Sequence, residues 1–289
     1  MPEASRLGGC GMPAPNARPP APGPRYGRRM GATTEDFVDR GEARVHYSVA
    51  GERRESVPLL LTHGFSASSA MWEPNLAALS ASRLVVTWDV RGHGRTVVPA
   101  KPELYSQDAS VEDMAAVLDA CGIESAAIGG LSLGGYLSLA FHNRFPERVS
   151  ALLLFDTGPG YRNDEGRRGW NDYALSQAER FENEGLEALG RSPEVQRGDH
   201  DPVGLALAAR YILTQHGPEV IESLGSIAVP TLVLVGDRDK PFLKAADYMA
   251  SHIPGAKKVV LADAGHAANI DQPEAFNLAV EDFLSPLAS

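Results

Sequence analysis

The stretch Ala126-Ala127-Ile128-Gly129-Gly130-Leu131-Ser132-Leu133-Gly134-Gly135-Tyr136 decides the fold of this 289-residue chain. It joins a short apolar run to a serine between glycines, and then to a segment whose apolar residues recur at helical spacing. The serine lies in the pattern Gly-x-Ser-x-Gly, which a chain of this length and composition produces by chance about 0.2 times. The neighbouring pattern therefore has to separate a reactive serine from an ordinary glycine-rich turn.

The residues on either side of Ser132 favour a reactive serine. Residues 125–131 are small and apolar, as in a strand that is covered on both faces, and residues 133–145 have helical spacing. A sharp turn from strand to helix strains the serine backbone, and Gly130 and Gly134 leave room for such a turn. This nucleophile elbow would hold the hydroxyl above the sheet, next to a helix N-terminus whose free N–H groups favour negative charge.

Apolar runs alternate with helical patterns along most of the chain. Runs typical of buried strands occupy residues 57–62, 84–90, 149–155, 230–235 and 258–262. Two further strand patterns, at 37–40 and 43–50, precede them and are joined by a tight turn. This rhythm predicts an α/β protein with a doubly wound, mostly parallel sheet.

Residues 157–226 interrupt the alternation. Charged and aromatic residues are scattered on helical patterns there, and no strand-like run occurs. We interpret this segment as a helical cap inserted into an α/β core that comprises residues 30–156 and 227–289. Aromatic residues on amphipathic helices usually belong to a core, but a cap over a site also needs them to line an apolar pocket. Trp170 and Tyr173 are the candidates for substrate contact, and both roles stay open for them.

Composition limits the class of protein. The net charge of −10 disfavours a polyanionic partner such as nucleic acid, and no apolar run of about 18 residues predicts a membrane helix. Cys10 and Cys121 have no spacing that indicates a disulfide or a zinc site. Residues 1–29 contain seven prolines and five arginines but no apolar stretch, which predicts a disordered tail rather than a secretory signal. We expect a cytoplasmic protein with a small-molecule substrate, no cofactor and no metal, and we leave its oligomeric state open.

The candidate reactive groups follow strands of the predicted sheet. Phe65, Ser132, Asp239 and His266 all fall at the carboxyl ends of strands, where ligands bind in doubly wound folds. A serine hydroxyl is a poor nucleophile, so it needs a base that takes its proton and a third group that orients this base. His266 is the candidate base, and an acid near Asp239 is the candidate orienting group.

Two other aspartates compete with Asp239. Asp237 lies two residues before it, and Asp156 ends the strand at 149–155, which follows the elbow. Both would also lie at the carboxyl edge of the sheet. Position relative to the strands therefore leaves the choice among the three carboxylates open.

Backbone N–H groups near the serine are candidates for stabilising an oxyanion. The N–H of Leu133 directly follows Ser132, and His63-Gly64-Phe65-Ser66 directly follows the first buried strand. A glycine beside a strand end allows a close backbone approach, so the N–H of Phe65 could point at the same centre. The alternative is a plain turn, but the position of this loop favours the oxyanion hypothesis.

Asp89, Arg91 and His93 form a further polar group in a glycine-punctuated turn. The lone histidine lacks partners at metal-ligand spacing, so we expect an Asp89–Arg91 pair that braces the loop rather than a metal site. In the next helix, Ser110 is the predicted N-cap and Asp113 the acid three residues later.

The chain resembles the α/β-hydrolase superfamily over residues 37–287. Five pieces carry the resemblance, in the order that is typical of this fold: His63-Gly64-Phe65, Asp89-Val90-Arg91-Gly92-His93-Gly94, the elbow at Ser132, Gly236-x-x-Asp239 and Gly265-His266. Within the superfamily it is similar to small cap-bearing esterases, meta-cleavage-product C–C hydrolases, enol-lactonases and cofactor-free haloperoxidases. Haloalkane dehalogenases and epoxide hydrolases of this fold use an aspartate nucleophile, whereas this elbow carries serine.

The resemblance implies a triad of Ser132, His266 and Asp239, because the family acid is the fourth residue of Gly-x-x-Asp. Asp156 stays the rival, since some relatives place the acid at the end of that earlier strand. The backbone N–H groups of Phe65 and Leu133 would form the oxyanion hole.

The implied function is a serine-dependent hydrolase that acts on a small ester, a lactone or an activated carbonyl compound. One alternative is a ligand receptor with slow or no turnover, because members of one fold can differ in function. Another is an enzyme of the haloperoxidase or perhydrolase type. The predicted cap has no transferable motif, so the sequence does not identify the substrate.

Overall fold

A computed structural model of the protein describes residues 33–287. The predicted tail at residues 1–29 lies outside the described residues. Eight strands form one sheet: β1 (Thr34–Arg40), β2 (Ala43–Ala50), β3 (Leu59–Thr62), β4 (Val85–Trp88), β5 (Ala126–Leu131), β6 (Val149–Phe155), β7 (Thr231–Gly236) and β8 (Lys257–Leu261).

Nine α-helices accompany this sheet in the described part of the chain. They are α1 (Glu73–Leu79), α2 (Gln107–Ala120), α3 (Leu133–Arg144), α4 (Asp164–Glu184), α5 (Pro202–Ala208), α6 (Glu219–Glu222), α7 (Lys240–His252), α8 (Ala268–Asp271) and α9 (Pro273–Leu284). Short 3-10 turns extend several of them, and a π-helical turn at Ala209–Leu213 follows α5.

The order of strands across the sheet is β1-β2-β4-β3-β5-β6-β7-β8. β1 and β2 pair antiparallel, as do β2 and β4, and all the remaining pairs are parallel. The chain adds β4 on one side of β3 and β5 on the other, so the direction of winding reverses at β3. Crevices at such switch points are the usual ligand sites of α/β sheets, and here β3 and β5 lead into residues 63–66 and Ser132. The predicted α/β fold class is confirmed.

The central strands are buried on both faces. Alternate residues of β3, β5, β6 and β7 enter two separate hydrophobic clusters. One cluster also contains residues from α2, α3 and α7, and the other contains residues from α1, α8 and α9. Helices therefore cover both faces, which explains why these strands are continuous apolar runs in the sequence.

Residues 157–226, which we call the insertion, contain α4, α5, α6 and shorter helical turns, but no strand. They connect β6 to β7. Six buried residues form a hydrophobic cluster of their own, and the partly buried Phe65 packs against it: Ala178, Phe181, Ala188, Leu205, Ala206 and Ala209. The insertion thus has some internal packing and contacts the loop that follows β3.

One predicted helix start is wrong. α2 begins at Gln107, one turn before the predicted start, because the Ser106 hydroxyl accepts a hydrogen bond from the Ala109 N–H. Ser110 lies inside the helix, where its hydroxyl donates to the Ser106 carbonyl. Asp113 is fully buried and pairs with Arg91 at 2.6 Å, so its role is tertiary rather than local capping.

Candidate active site

Ser132 lies at a strained turn between β5 and α3. Its backbone dihedrals are φ 54° and ψ −115°, which is outside the ordinary regions for a residue with a side chain. The turn is held by the Ser132 N–H, which donates to the Phe155 carbonyl of the neighbouring strand at 3.0 Å. The Ser132 carbonyl accepts a hydrogen bond from the Thr157 hydroxyl at 2.6 Å. The N–H and the carbonyl of Ser132 are therefore both held in this strained conformation, by Phe155 at the end of β6 and by Thr157 two residues later.

Two glycines make this turn possible. A Cβ atom at Gly134 would overlap the backbone carbonyls of Thr62 and His63, and one at Gly130 would overlap the backbone of Gly134. The elbow thus packs directly on the end of β3. Glycine is required at these positions because backbone atoms occupy the space of a side chain.

His266 follows β8, and its Nδ1 lies 2.8 Å from Oδ2 of Asp239, which follows β7. Asp239 is almost completely buried, whereas the imidazole is one-third exposed. The ring of Phe242 stacks against His266, with ring centroids 5.0 Å apart. A histidine that is held at Nδ1 presents Nε2 on its far side, as a general base beside a nucleophile does.

The two rival carboxylates differ in their surroundings. Asp237 is half-buried, and its N–H donates to the Leu261 carbonyl, so its backbone belongs to the contact between β7 and β8. Asp156 is buried at the end of β6 and accepts a hydrogen bond from the Gly236 N–H at 2.8 Å. The hydrogen bond from His266 Nδ1 favours Asp239 as its orienting acid.

The loop at residues 63–66 is held by two buried histidines. Nε2 of His63 accepts a hydrogen bond from the Val90 N–H at 3.0 Å, and Nε2 of His93 accepts one from the Ser66 N–H at 3.1 Å. Nδ1 of each ring lies near a backbone carbonyl, that of Gly64 at 2.7 Å for His63 and that of Arg91 at 3.1 Å for His93. These partners fit neutral rings that donate from Nδ1 and accept at Nε2.

Burial keeps both rings neutral. Loss of solvation is the main cause that lowers the pKa of His93 to about 3, and the neighbouring His63 adds to this shift. Burial also lowers the pKa of His63, although Asp89 acts in the opposite direction. The backbone around Phe65 is thus joined to the turn at residues 89–95 by acceptors that stay unprotonated near neutral pH.

The expected Asp89–Arg91 pair does not form. Asp89 instead lies 2.8 Å from Nδ1 of His46 and accepts hydrogen bonds from the backbone N–H groups of Ser69 and Arg95. Burial raises the pKa of Asp89, but the hydrogen bond from His46 and further favourable contacts outweigh this effect, so the pKa lies well below its ordinary value. Arg91 reaches across to Asp113 of α2. Asp89 and Arg91 thus have the structural role that was expected, but Asp89 pairs with His46 of β2 and Arg91 pairs with Asp113 of α2.

A cavity of about 940 Å³ lies above this edge of the sheet. Ser132 and His266 both line it, and so do the residues whose N–H groups were predicted to bind an oxyanion, Phe65 and Leu133. Leu133 begins α3, so its N–H has no acceptor within the helix. Asp239 is not among the lining residues and contacts His266 at Nδ1.

The insertion forms the opposite wall of the cavity. Trp170 and Tyr173 of α4 both line it, with ring centroids 5.5 Å apart. The Trp170 indole N–H donates to the Leu213 carbonyl at 2.7 Å, which fixes its ring, and half of the Tyr173 surface is exposed. Phe181 of the same helix contacts Phe65 across the cavity, with centroids 6.1 Å apart.

Comparison with known proteins agrees with this architecture. The model of the alpha/beta hydrolase family matches residues 59–279, which is most of the chain. The chain belongs to this family. It is an α/β-hydrolase, and the matched residues include the elbow, the loop at 63–66 and both members of the Asp239–His266 pair.

An enol-lactonase and esterases are among the proteins that the chain is similar to. The α/β-hydrolase is 28% identical to 3-oxoadipate enol-lactonase 2 of Acinetobacter baylyi over 86% of the chain and 95% of that protein. It is 29% identical to a carboxylesterase of Bacillus subtilis over 86% of both chains. A thermophilic esterase of Thermogutta terrifontis superimposes with a TM-score of 0.76 at 27% identity, covering 89% of this chain and all of the other.

The described residues of this α/β-hydrolase contain neither a cluster of metal ligands nor a helix that could cross a membrane. Within residues 33–287, no three histidine, cysteine, aspartate or glutamate side chains are grouped so that they could hold a metal ion. None of the helices in that range has the length and apolar character that crossing a membrane requires.

The contacts of several residues around the site of this α/β-hydrolase have no local signal in the sequence. The roles of His63 and His93 depend on contacts across 27 residues of chain, and Phe242 reaches His266 only because α7 and the β8 loop are adjacent. The contact between Asp156 and the β7 end depends on the pairing of β6 with β7. Glycines at the elbow, in contrast, were recognisable because their spacing is local.

Proposed function

We propose that this α/β-hydrolase is a serine-dependent hydrolase of a small ester, lactone or activated carbonyl compound, with Ser132 as nucleophile. The observation that carries the proposal is the geometry of His266. Its Nδ1 is bound by buried Asp239, and its ring opens into the same cavity as the strained elbow that carries Ser132. Nucleophile, orienting acid and base thus follow β5, β7 and β8 at one edge of the sheet, with β6 between the first two strands.

In the proposed mechanism, His266 Nε2 takes the proton of the Ser132 hydroxyl as its oxygen attacks the carbonyl carbon. The imidazole becomes positively charged, and Asp239 stabilises this charge through the Nδ1–H bond. The N–H groups of Leu133 and Phe65 bind the oxyanion that develops, and each donor of this kind contributes about 3 kcal/mol. Collapse of the intermediate expels the leaving group, which receives the proton from His266.

Water then hydrolyses the acyl-enzyme, with His266 acting as base a second time. Trp170, Tyr173 and Phe181 line the cavity on the side opposite Ser132 and His266. This wall belongs to the insertion, which we propose acts as a cap that selects the substrate. The similarity to an enol-lactonase and to esterases supports a cyclic or linear ester as the substrate class.

The test is a substrate panel on the full chain and on Ser132→Ala. We expect turnover of p-nitrophenyl esters of graded chain length, of a lactone or of a vinylogous diketone, and loss of that turnover in the variant with an unchanged melting temperature. Variant activity within tenfold of the wild type would refute the serine mechanism. Tight binding of these compounds with turnover near background would favour the receptor alternative.

A further inference from the structure

We propose that Asp156 is a positioning residue: it carries a proton on Oδ2 and donates it in a hydrogen bond to Asp239, thereby fixing the carboxylate that orients His266. This inference rests on the proposed function, because it assigns Asp156 a role in the same site. It differs from the sequence hypothesis in which Asp156 is itself the orienting acid, and from a role as a mere brace of the insertion.

The first observation is an unsatisfied oxygen. Asp156 is 1% exposed, and Oδ1 accepts the hydrogen bond from the Gly236 N–H. Oδ2 is buried, and within the described residues no hydrogen bond of good geometry reaches it, although the Ala268 N–H faces the carboxyl. A buried carboxylate oxygen without a donor is costly, so this atom needs either a cation or a proton.

The second observation is the neighbour of that oxygen. The Asp239 carboxyl faces the Asp156 carboxyl at one turn, because the Gly236 N–H donates to Asp156 Oδ1 and the Gly236 carbonyl accepts from the Asp239 N–H at 3.1 Å. Two ionised carboxylates have only acceptors and repel each other, so this contact is unfavourable unless one of them carries a proton. With one proton between them, the repulsion becomes a hydrogen bond and the unsatisfied oxygen becomes a donor.

The surroundings place the proton on Asp156. Asp239 Oδ2 already lies 2.8 Å from His266 Nδ1, and an ionised acceptor strengthens that bond. Burial raises the pKa of Asp156 well above its usual range, and the adjacent Asp239 adds to the rise. The backbone N–H groups of Gly236 and Ala268 act in the opposite direction without reversing it. The shared site then holds a single negative charge, on Asp239.

The backbone of Asp156 is built for this position. It has φ 44°, one of four positive values at non-glycine residues in the described chain, and it follows β6 directly. Its anchor is Gly236, three residues before Asp239 at the end of β7. Asp156 therefore connects the Asp239 side chain to the end of β7, the strand that Asp239 follows. Asp239 in turn binds His266 in the loop that follows β8.

The proton can be observed without turnover. Infrared spectroscopy of the full chain at neutral pH should show the carbonyl band of a protonated carboxylic acid, and aspartate labelled with carbon-13 should shift it. The band should be absent from Asp156→Asn and present in Asp172→Asn, the control at an exposed aspartate of α4. If Asp156→Asn retained the whole band, or if the wild type had none, the proposed proton would be refuted even where Ser132 is the nucleophile.

Kinetics test the positioning role. Asp156→Asn keeps an acceptor for Gly236 and a donor for Asp239, so it should retain kcat within about tenfold. Asp156→Ala removes both groups and should lower kcat by up to about 100-fold, as expected for a misplaced catalytic group, with KM changed far less. Equal kcat values for the Asn and Ala variants would contradict the role. Melting curves of both variants identify a folding defect, and the Asn variant remains informative if the Ala variant does not fold.

The pH profile separates a protonated Asp156 from an ionised one. The groups that face this carboxyl are Asp239, with His266 behind it, and the neutral N–H groups of Gly236 and Ala268. If Asp156 carries the proton, Asp156→Asn changes no charge, and the acid limb of kcat/KM stays in place. If Asp156 is ionised, the substitution removes a negative charge near His266, and the acid limb shifts to lower pH. Such a shift would overturn the proposal.

Discussion

The carboxyl edge of the sheet and the insertion border the same cavity, but they are held in different ways. At the sheet edge, backbone atoms fix the geometry: Ser132 is bound to Phe155 through main-chain atoms, and Gly134 packs on the backbone of Thr62. In the insertion, side chains do so, as where Trp170 donates to the Leu213 carbonyl. Ser132 is therefore placed by main-chain contacts, whereas the opposite wall can change shape by substitution of side chains.

Backbone strain shows the same contrast. Four non-glycine residues in the described chain have positive φ: Ser66, Ser132, Asp156 and Asp263. All four lie in loops that follow the carboxyl ends of strands, after β3, β5, β6 and β8, and none of them lies in the insertion. A strained backbone conformation persists in a folded chain only when surrounding contacts hold it in place. Such conformations are concentrated at functional sites.

Loss of the orienting acid should have the strongest effect on catalysis at the sheet edge. We expect Asp239→Asn to lower kcat by about 10⁴-fold, because His266 then adopts the wrong tautomer. The matched control Asp237→Asn, two residues away, should lose less than about tenfold. Steady-state kinetics on the best ester of the panel measure both values. A nearly inactive Asp237→Asn, together with an active Asp239→Asn, would move the acid to the other residue.

Matched glycine substitutions compare the packing of the two regions. Gly134→Ala should reduce the free energy of unfolding by roughly 3 kcal/mol, because its Cβ would overlap backbone carbonyls of β3. Gly169→Ala lies within α4, with no atom near its Cβ, and should raise that energy by about 0.5–1 kcal/mol. Urea unfolding measures both. Similar changes in the two variants would contradict the difference in packing.

The neutral histidines under the 63–66 loop predict a dependence of stability on pH. The pKa of His93 in the folded protein, about 3, lies below its value of about 6.5 in the unfolded chain. The unfolded chain therefore binds the proton more readily, and stability is fully present above pH 6.5 and falls as the pH decreases towards 3. His93→Gln should reduce this slope by up to about 1.4 kcal/mol per pH unit. An unchanged slope in urea unfolding between these pH values would show that His93 does not contribute.

Substitutions in the insertion should affect substrate binding more than chemistry. We expect Trp170→Ala and Tyr173→Ala to lower kcat/KM by about tenfold, or ~1.4 kcal/mol, mainly through KM. Glu179→Ala, on an exposed position of the same helix, is the control and should leave both constants unchanged. A decrease of kcat at constant KM in the aromatic variants would mean that the insertion positions the reacting groups itself.

Much of the sheet could be predicted from the sequence. β2 and β6 were predicted to the residue, because a tight turn before residues 43–50 and a continuous apolar run at 149–155 define their bounds locally. The elbow was recognisable for the same reason, since strand, serine, glycines and helix occupy one short stretch. The resemblance to the family chose Asp239 among the three candidate acids, and Asp239 is the one that contacts Nδ1 of His266.

Contacts between distant segments could not be predicted in this way. Asp89 was expected to pair with Arg91, two residues away, but its partner His46 lies on a neighbouring strand. Ser110 was expected to cap α2, yet Ser106 does so. The local pattern does not separate the two serines, because each precedes an acidic residue by two positions. The contact of Asp156 with Asp239 arises only when β6 and β7 pair. Local patterns specify elements, whereas partners across the sheet depend on its register.

The central claim is that Ser132 is the nucleophile and that the Asp239–His266 pair activates it. The most direct measurement is covalent labelling of the full chain by a serine-directed phosphonate, followed by peptide mass mapping. We predict one adduct on Ser132, no labelling of Ser132→Ala and much slower labelling of Asp239→Asn. An adduct on a different residue, or labelling of Ser132→Ala at the wild-type rate, would contradict the claim.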